Sequence, residues 1–275
     1  MFADDTNALI SHKNLTILEE ICNCEIAKIS EWVNANKLSL NVNKTLYMLF
    51  RGKKQVVSEK GIFINNNQIQ KTYQTKFLGV IITDTLSWKS HIDYISKKVS
   101  KSVGILYRLS KFLNKPSLIC LYYSLIYPYF IYCNEVWGLE YSTHLRKLVT
   151  LQKRALRIIS SKSRLEHTDP LFKECQILKL KDTNTFLITK FMFKFYHKDL
   201  PNIFEDMFTF NKSVHVHFTR QNKELHVPIV HSNLVQMSIR YIGVITWNKA
   251  SRSMMLNCTI ETFKRKLKRM TIAEY

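Results

Sequence analysis

Two hydrophobic periods run along the chain and occupy different stretches. Apolar residues recur every three to four positions at Leu15, Leu18, Ile21, Ile26, Ile29 and Val33, which predicts a helix over 14–36. Asn14 or Thr16 would cap it. The period then falls to two. Residues 38–50 (LSLNVNKTLYMLF) read as a strand, 61–70 (GIFINNNQIQ) as a hairpin turning at Asn65–Asn67, and 76–83 (KFLGVIIT) as a further strand. Asparagine suits that turn because it tolerates left-handed backbone. The opening residues MFADDTNALIS look like the second half of a hairpin with a carboxylate tip. Its first strand would need residues before Phe2, so the chain is expected to begin inside a structural unit.

After Trp88 the pattern turns helical. Ile92, Ile95, Val99, Val103, Leu106, Leu109 and Leu113 form one apolar stripe, predicting a helix over 92–113. Lys97, Lys101, Arg108, Lys111 and Lys115 recur at helical spacing on another face of it. A second helix is expected over 117–134, bent or ended at Pro128. A third, over 144–160, carries Arg146, Lys147, Lys153, Arg154 and Arg157 on its polar side. Residues 165–210 again look helical, with Pro201 as a stop, 211–240 look loop-rich, and 261–270 (ETFKRKLKRM) form a basic amphipathic helix. The fold class is therefore α+β. Three regions are expected: a mixed, mostly antiparallel unit over 1–90, a helical bundle over 91–165, and a helical and loop-rich region over 166–275.

Of the 275 residues 46% are hydrophobic and 23% charged, which excludes a mainly disordered chain. Charge changes the picture more. Forty-one Lys and Arg against 21 Asp and Glu leave a net +20, which favours a polyanionic partner. Residues 91–165 hold 13 basic and 3 acidic side chains, half of that excess, as a phosphate-contacting surface requires.

The six cysteines are scattered, and reduced thiols in an intracellular setting are expected. Cys22-x-Cys24 lacks a second pair at zinc spacing, and His215, His217, His226 and His231 are too loosely spaced for a zinc module. The 19 uncharged residues of 116–134 imitate a membrane span. Five tyrosines spread along that run favour a buried helix with polar partners, and no membrane partner is expected.

Adjacent aspartates at a hairpin tip can present oxygen ligands to a hard cation such as Mg²⁺. Phe2-Ala3-Asp4-Asp5 resembles the aromatic-x-Asp-Asp box of reverse transcriptases. It is followed, in order, by a helix, Leu38-Ser39-Leu40-Asn41-Val42-Asn43-Lys44-Thr45, Lys76-Phe77-Leu78-Gly79-Val80, Leu86-Ser87-Trp88 and His91-Ile92. That succession is similar to the palm-to-thumb stretch of non-LTR (LINE-like, jockey-type) retrotransposon reverse transcriptases. Tyr127-Pro128 with Tyr132, Trp137-Gly138, Leu151-Gln152-Lys153-Arg154-Ala155, Tyr241-x-Gly243 and Trp247-Asn248 resemble the family's downstream region.

The resemblance implies a partial palm over 1–90, a helical thumb over 91–165 and a basic C-terminal region. It makes Asp4 and Asp5 metal-binding catalytic carboxylates, with Mg²⁺ as cofactor, and puts Lys44 near the incoming nucleotide's phosphates. Phe77, Leu78 and Gly79 would hold the primer end, and the basic stripe would follow the nucleic-acid backbone. Partners of the parent enzyme would be an RNA template, a DNA primer and deoxynucleotides, with a nuclear location if it acts on chromosomal DNA. The family's remaining catalytic aspartate and its fingers lie upstream of the Asp-Asp box, so the chain alone is expected to lack activity. Two other classes stand beside this one: a non-catalytic nucleic-acid-binding module using the basic bundle, and a membrane-associated protein anchored through 116–134.

Overall fold

The computed structural model describes residues 6–50, 60–214, 224–252 and 258–275. It divides into two compact units, Met1–Ser87 and Trp88–Tyr275.

The first unit is built around α1 (Leu15–Ala35). Asn14 caps it, its side chain accepting from the Ile17 N–H at 3.3 Å. Six short strands follow: β1 (Leu46–Tyr47), β2 (Phe63–Ile64), β3 (Asn67–Gln68), β4 (Gln70–Lys71), β5 (Gln74–Phe77) and β6 (Val80–Thr83). They pair as β2 with β3 and β5 with β6, both antiparallel, and β1 with β4 in parallel. The expected turn forms at Asn65 and Asn66, both at positive φ. Polar side chains fasten α1 to this hairpin. Asn23 accepts from the Phe63 N–H (2.9 Å) and donates to the Gly61 carbonyl (3.3 Å), while the buried Glu19 accepts from the Lys60 N–H (3.2 Å). The apolar core is small: Ile62, Ile64 and Ile69, with Cys22, Ile26, Leu40, Val42 and Tyr47 partly buried around it.

Two expected strands are corrected here. Residues 38–50 form a 3₁₀ turn, Val42–Lys44, before the two-residue β1. The Asn41 side chain accepts from the Lys44 N–H at 3.2 Å, a local bond that competes with strand pairing. Residues 76–83 are a hairpin tip instead of one strand, because Leu78 and Gly79 at φ +44° and +84° reverse the chain between Phe77 and Val80.

The second unit is helical. In chain order it contains α2 (Lys89–Leu109), α3 (Lys115–Leu125), α4 (Tyr127–Ile131), α5 (Asn134–Trp137), α6 (Ser142–Ile159), α7 (Asp169–Glu174) and α8 (Leu180–Tyr196). A 3₁₀ turn, Asn202–Met207, leads to α9 (Asn211–Val214), α10 (Asn233–Gln236), α11 (Ile239–Ser251) and α12 (Ile260–Ala273). The apolar stripe of α2 packs chiefly on α6. Ile92, Ile95, Val99, Val103 and Leu106 meet Tyr122, Phe130, Trp137, Leu148 and Leu156 in the larger core. A second core gathers Met192, Phe193, Val244, Trp247, Phe263 and Leu267 from α8, α11 and α12.

The tyrosine-rich run 116–134 divides among α3, α4 and α5. It breaks at Ile126 instead of at Pro128, which occupies the first turn of α4 where its missing N–H costs nothing. Burial pushes the Tyr123 hydroxyl up to about 12 and raises Tyr122 and Tyr127 as well. Among the described residues no helix is long and apolar enough to cross a membrane.

Buried polar side chains join the helices. The Gln152 amide donates to the Tyr122 hydroxyl and the Leu178 carbonyl, both at 2.9 Å, and accepts from the Leu180 N–H at 2.9 Å. The Asn184 amide donates to the Asn134 side-chain oxygen at 2.8 Å, beside Gly138, where an added Cβ would lie 2.5 Å from both side chains. Asn248 pairs with the Leu225 backbone in both directions, at 2.8 and 3.0 Å.

Candidate nucleic-acid interface

Helix α2 has two faces because its sequence has two registers. At 3.6 residues per turn, Lys97, Lys101, Gly104 and Arg108 fall within about 60° of arc. Ile95, Val99, Val103 and Leu106 occupy the opposite side and are buried. The three cationic side chains are exposed, and no hydrogen bond or ion pair holds them among the described residues. A Cβ placed on Gly104 would meet nothing within 4 Å, so the middle of this face is open backbone.

The face runs past the end of the helix. Helix α2 stops at Leu109, four residues before the predicted end. Its hydrogen bonding continues for one turn, with the Ser110 N–H donating to the Leu106 carbonyl (2.9 Å) and the Leu113 N–H to the Leu109 carbonyl (3.0 Å). That turn carries Lys111, exposed and unpaired, and Phe112. Lys115 departs from the expected stripe. It opens α3, because Asn114 caps a new helix by accepting from the Ser117 N–H, and its ammonium pairs with Glu174.

Several other cations of this unit are occupied. Lys147 of α6 reaches Asp93 of α2 at 2.6 Å, and the Arg157 Nε donates to the Glu166 carbonyl at 3.0 Å. Lys98 lies over the Tyr94 ring at 5.7 Å, and Lys264 pairs with Glu261 at 2.7 Å. Lys190 and Lys268 are half-buried, and desolvation lowers the pKa of each. The open cationic side chains on α2 and its extra turn are thus free to meet phosphates, as are those of Arg146 and Arg154 on α6, which are exposed and have no hydrogen bond or ion pair among the described residues.

In the first unit, Lys44 is exposed at the end of the 3₁₀ turn. A shallow cleft of about 380 Å³ beside it is lined by Val42, Asn43, Asn67, Gln68 and Gln70. Phe77, Leu78 and Gly79 come together at the β5–β6 tip, where Phe77 is 38% and Leu78 42% exposed. Positive φ at both central residues is the two-residue hairpin geometry whose twist matches its strands. Leucine in left-handed backbone is uncommon and strained, which marks Leu78 for attention. Asp4 and Asp5, like Phe2, Ala3, His215 and His217, lie outside the described residues. Among the described residues no group of three or more His, Cys, Asp or Glu could hold a metal ion.

Sequence comparison places these features beside known proteins. The chain is 25% identical over 194 residues to the RNA-directed DNA polymerase from mobile element jockey of Drosophila melanogaster, covering 70% of this chain and 21% of that protein. It is 24% identical over 184 residues to the corresponding jockey polymerase of Drosophila funebris, covering 66% of this chain and 20% of that protein. A retrovirus-related Pol polyprotein from the type-1 retrotransposable element R1 of Bradysia coprophila is 24% identical over 139 residues, half of this chain and 14% of that protein. The chain's curated relatives are non-LTR retrotransposon RNA-directed DNA polymerases. It spans about a fifth of the length of the jockey polymerases. No protein-family model matches it, and no solved structure does.

The downstream boxes that resemble the jockey-type family have architectural places. Trp137 is fully buried and its indole N–H donates to the Tyr132 carbonyl at 2.8 Å. Gln152 and Asn248 are the buried latches described above. Gly243 lets α11 approach α8, where an added Cβ would sit 2.9 Å from the Met192 sulfur. Sequence reasoning missed Tyr107 and Phe112, which stand out from the end of α2. A signal was present: both fall off the apolar period that buries the rest of the stripe.

Proposed function

We propose that this chain is a segment of a non-LTR retrotransposon RNA-directed DNA polymerase, in which α2 holds the template–primer duplex by its backbone. The observation that carries this is the open cationic face of Lys97, Lys101 and Arg108, continued by Lys111, on a helix anchored by the larger core. Lys97 and Arg108 are separated by about 16 Å of helix, roughly five phosphate spacings of one strand. Contacts of this kind position a duplex without reading its sequence, which a polymerase that copies any template needs. The activity for which the relatives are named supports the same class.

In the parent reaction a primer 3′-hydroxyl attacks an incoming deoxynucleotide. Asp4 and Asp5 are the proposed ligands of Mg²⁺, which would supply charge neutralisation at the reacting phosphate. Lys44 is the proposed phosphate contact, and the Phe77–Gly79 tip the support of the primer end. The tip suits that role because Gly79 adds no side chain where backbone must approach a strand. The region over 91–165 acts as thumb and 1–90 as part of the palm.

Binding of the chain to RNA–DNA duplexes of two unrelated sequences tests the reading. The two affinities should agree within about threefold, and alanine at Lys97, Lys101, Arg108 and Lys111 together should weaken both alike. An unchanged affinity in the folded quadruple variant would remove the proposal.

A further inference from the structure

The basic face of α2 changes character at its C-terminal end. Over Lys97–Gly104 it offers cations and open backbone; from Ile105 onward it offers rings. Tyr107 is 54% and Phe112 82% exposed, and neither ring has an aromatic, cationic or hydrogen-bonding partner among the described residues. Arg108 and Lys111 lie between them in sequence and are exposed too, with no hydrogen bond or ion pair among the described residues. A fully desolvated core lies directly beneath, so the second unit has buried the apolar stripe of this helix and still left these two rings outside.

Large rings left in water beside unpaired cations have a specific chemical complement. A duplex conceals its base faces within the stack and presents only phosphates to a helix lying along it. Unpaired nucleotides present both a phosphate and a free π-face. Alternating cations and exposed aromatic side chains are the combination that holds single strands with little regard for sequence. The rings sit at one end of the face and not along it, so they fit the point where a duplex gives way to single strand.

We infer that Tyr107 and Phe112 stack on unpaired nucleotides adjoining the duplex, beside the last duplex phosphates, which Arg108 and Lys111 hold. This rests on the reading of α2 as the duplex-binding helix and adds the class of nucleic acid at its end: a single-stranded extension. Tyr107 and Phe112 flank the two cations within six residues, a helical rise of about 8 Å that matches two or three nucleotides at about 3 Å each.

The test compares the affinity of the full chain for a flush-ended RNA–DNA duplex and for the same duplex with a six-nucleotide RNA extension. The wild type should prefer the extended duplex by about tenfold or more. Tyr107→Ala with Phe112→Ala should abolish that preference and leave flush-duplex affinity and its salt dependence unchanged. Both side chains are exposed, so circular dichroism should match the wild type. Phe112→Trp should keep the preference, whereas Phe112→Leu, apolar but without a ring, should reduce it. No preference in the wild type, or an unaltered preference in the double alanine variant, would overturn the stacking proposal alone. Flush-duplex binding that ignores alanine at Lys97 and Lys101 would instead overturn the reading of α2 beneath it.

Discussion

Gln152 shows what a single side chain does in this molecule. It is buried, its three hydrogen bonds reach α3, the segment before α8 and the first residue of α8, and none of these partners faces water. Gln152→Ala leaves the Tyr122 hydroxyl, the Leu178 carbonyl and the Leu180 N–H unpaired together, at a cost of about 3–5 kcal/mol. Denaturant unfolding of the second unit measures it; a loss under about 1 kcal/mol would show that water replaces the amide. At this scale the sequence was only half legible. Gln152 stood out as part of a family box, yet nothing in a single chain says that its partners are backbone groups some 26 to 28 positions away. The carboxylate pair had a clear chemical signal in Asp4-Asp5, and those residues lie outside the described ones.

Among the elements, the long helices were the most legible. The spacing placed α1 within one residue of its observed ends and set the buried and basic sides of α2 correctly, because a 21-residue helix repeats its pattern over almost six turns. Short strands were not, since two to four residues hold too few repeats to separate a strand from a turn. The 76–83 run looks like one apolar strand, and only the positive φ at Leu78 and Gly79 reveals a hairpin tip. The α2 helix also carries a conflict between stability and use. Gly104 lowers helix propensity, and space around it is open, so Gly104→Ala should stabilise the second unit by up to about 1 kcal/mol. A longer side chain at the same position should leave the fold intact and push a duplex away from the helix. Gly104→Leu should therefore bind RNA–DNA duplex several-fold more weakly at equal or higher thermal stability; equal binding would show that nothing approaches Gly104.

Across the whole molecule the two units differ in how much they bury. Among the described residues the first gathers three buried apolar side chains into its core, the second nineteen and nine in its two clusters. Ile17, Ile21, Trp32 and Leu38 of the first unit stay exposed although apolar. Its amides should then exchange with at least about tenfold lower protection than those of α2 and α6, as expected of a locally less stable unit. Equal protection in β5–β6 and α2 under native-state hydrogen exchange would contradict that. The net charge of +20, by contrast, is a property of the whole chain that composition states outright, while the proposed grip uses only a few exposed cations on α2 and its extra turn. Salt dependence separates those few from the rest. Measured against an RNA–DNA duplex, log affinity should fall linearly with log salt concentration. Alanine at Lys97, Lys101, Arg108 and Lys111 should reduce that slope by roughly three to four units, one counterion release lost for each phosphate contact. A quadruple variant that stays folded and keeps the wild-type slope would contradict the assignment of α2 as the helix that grips nucleic acid.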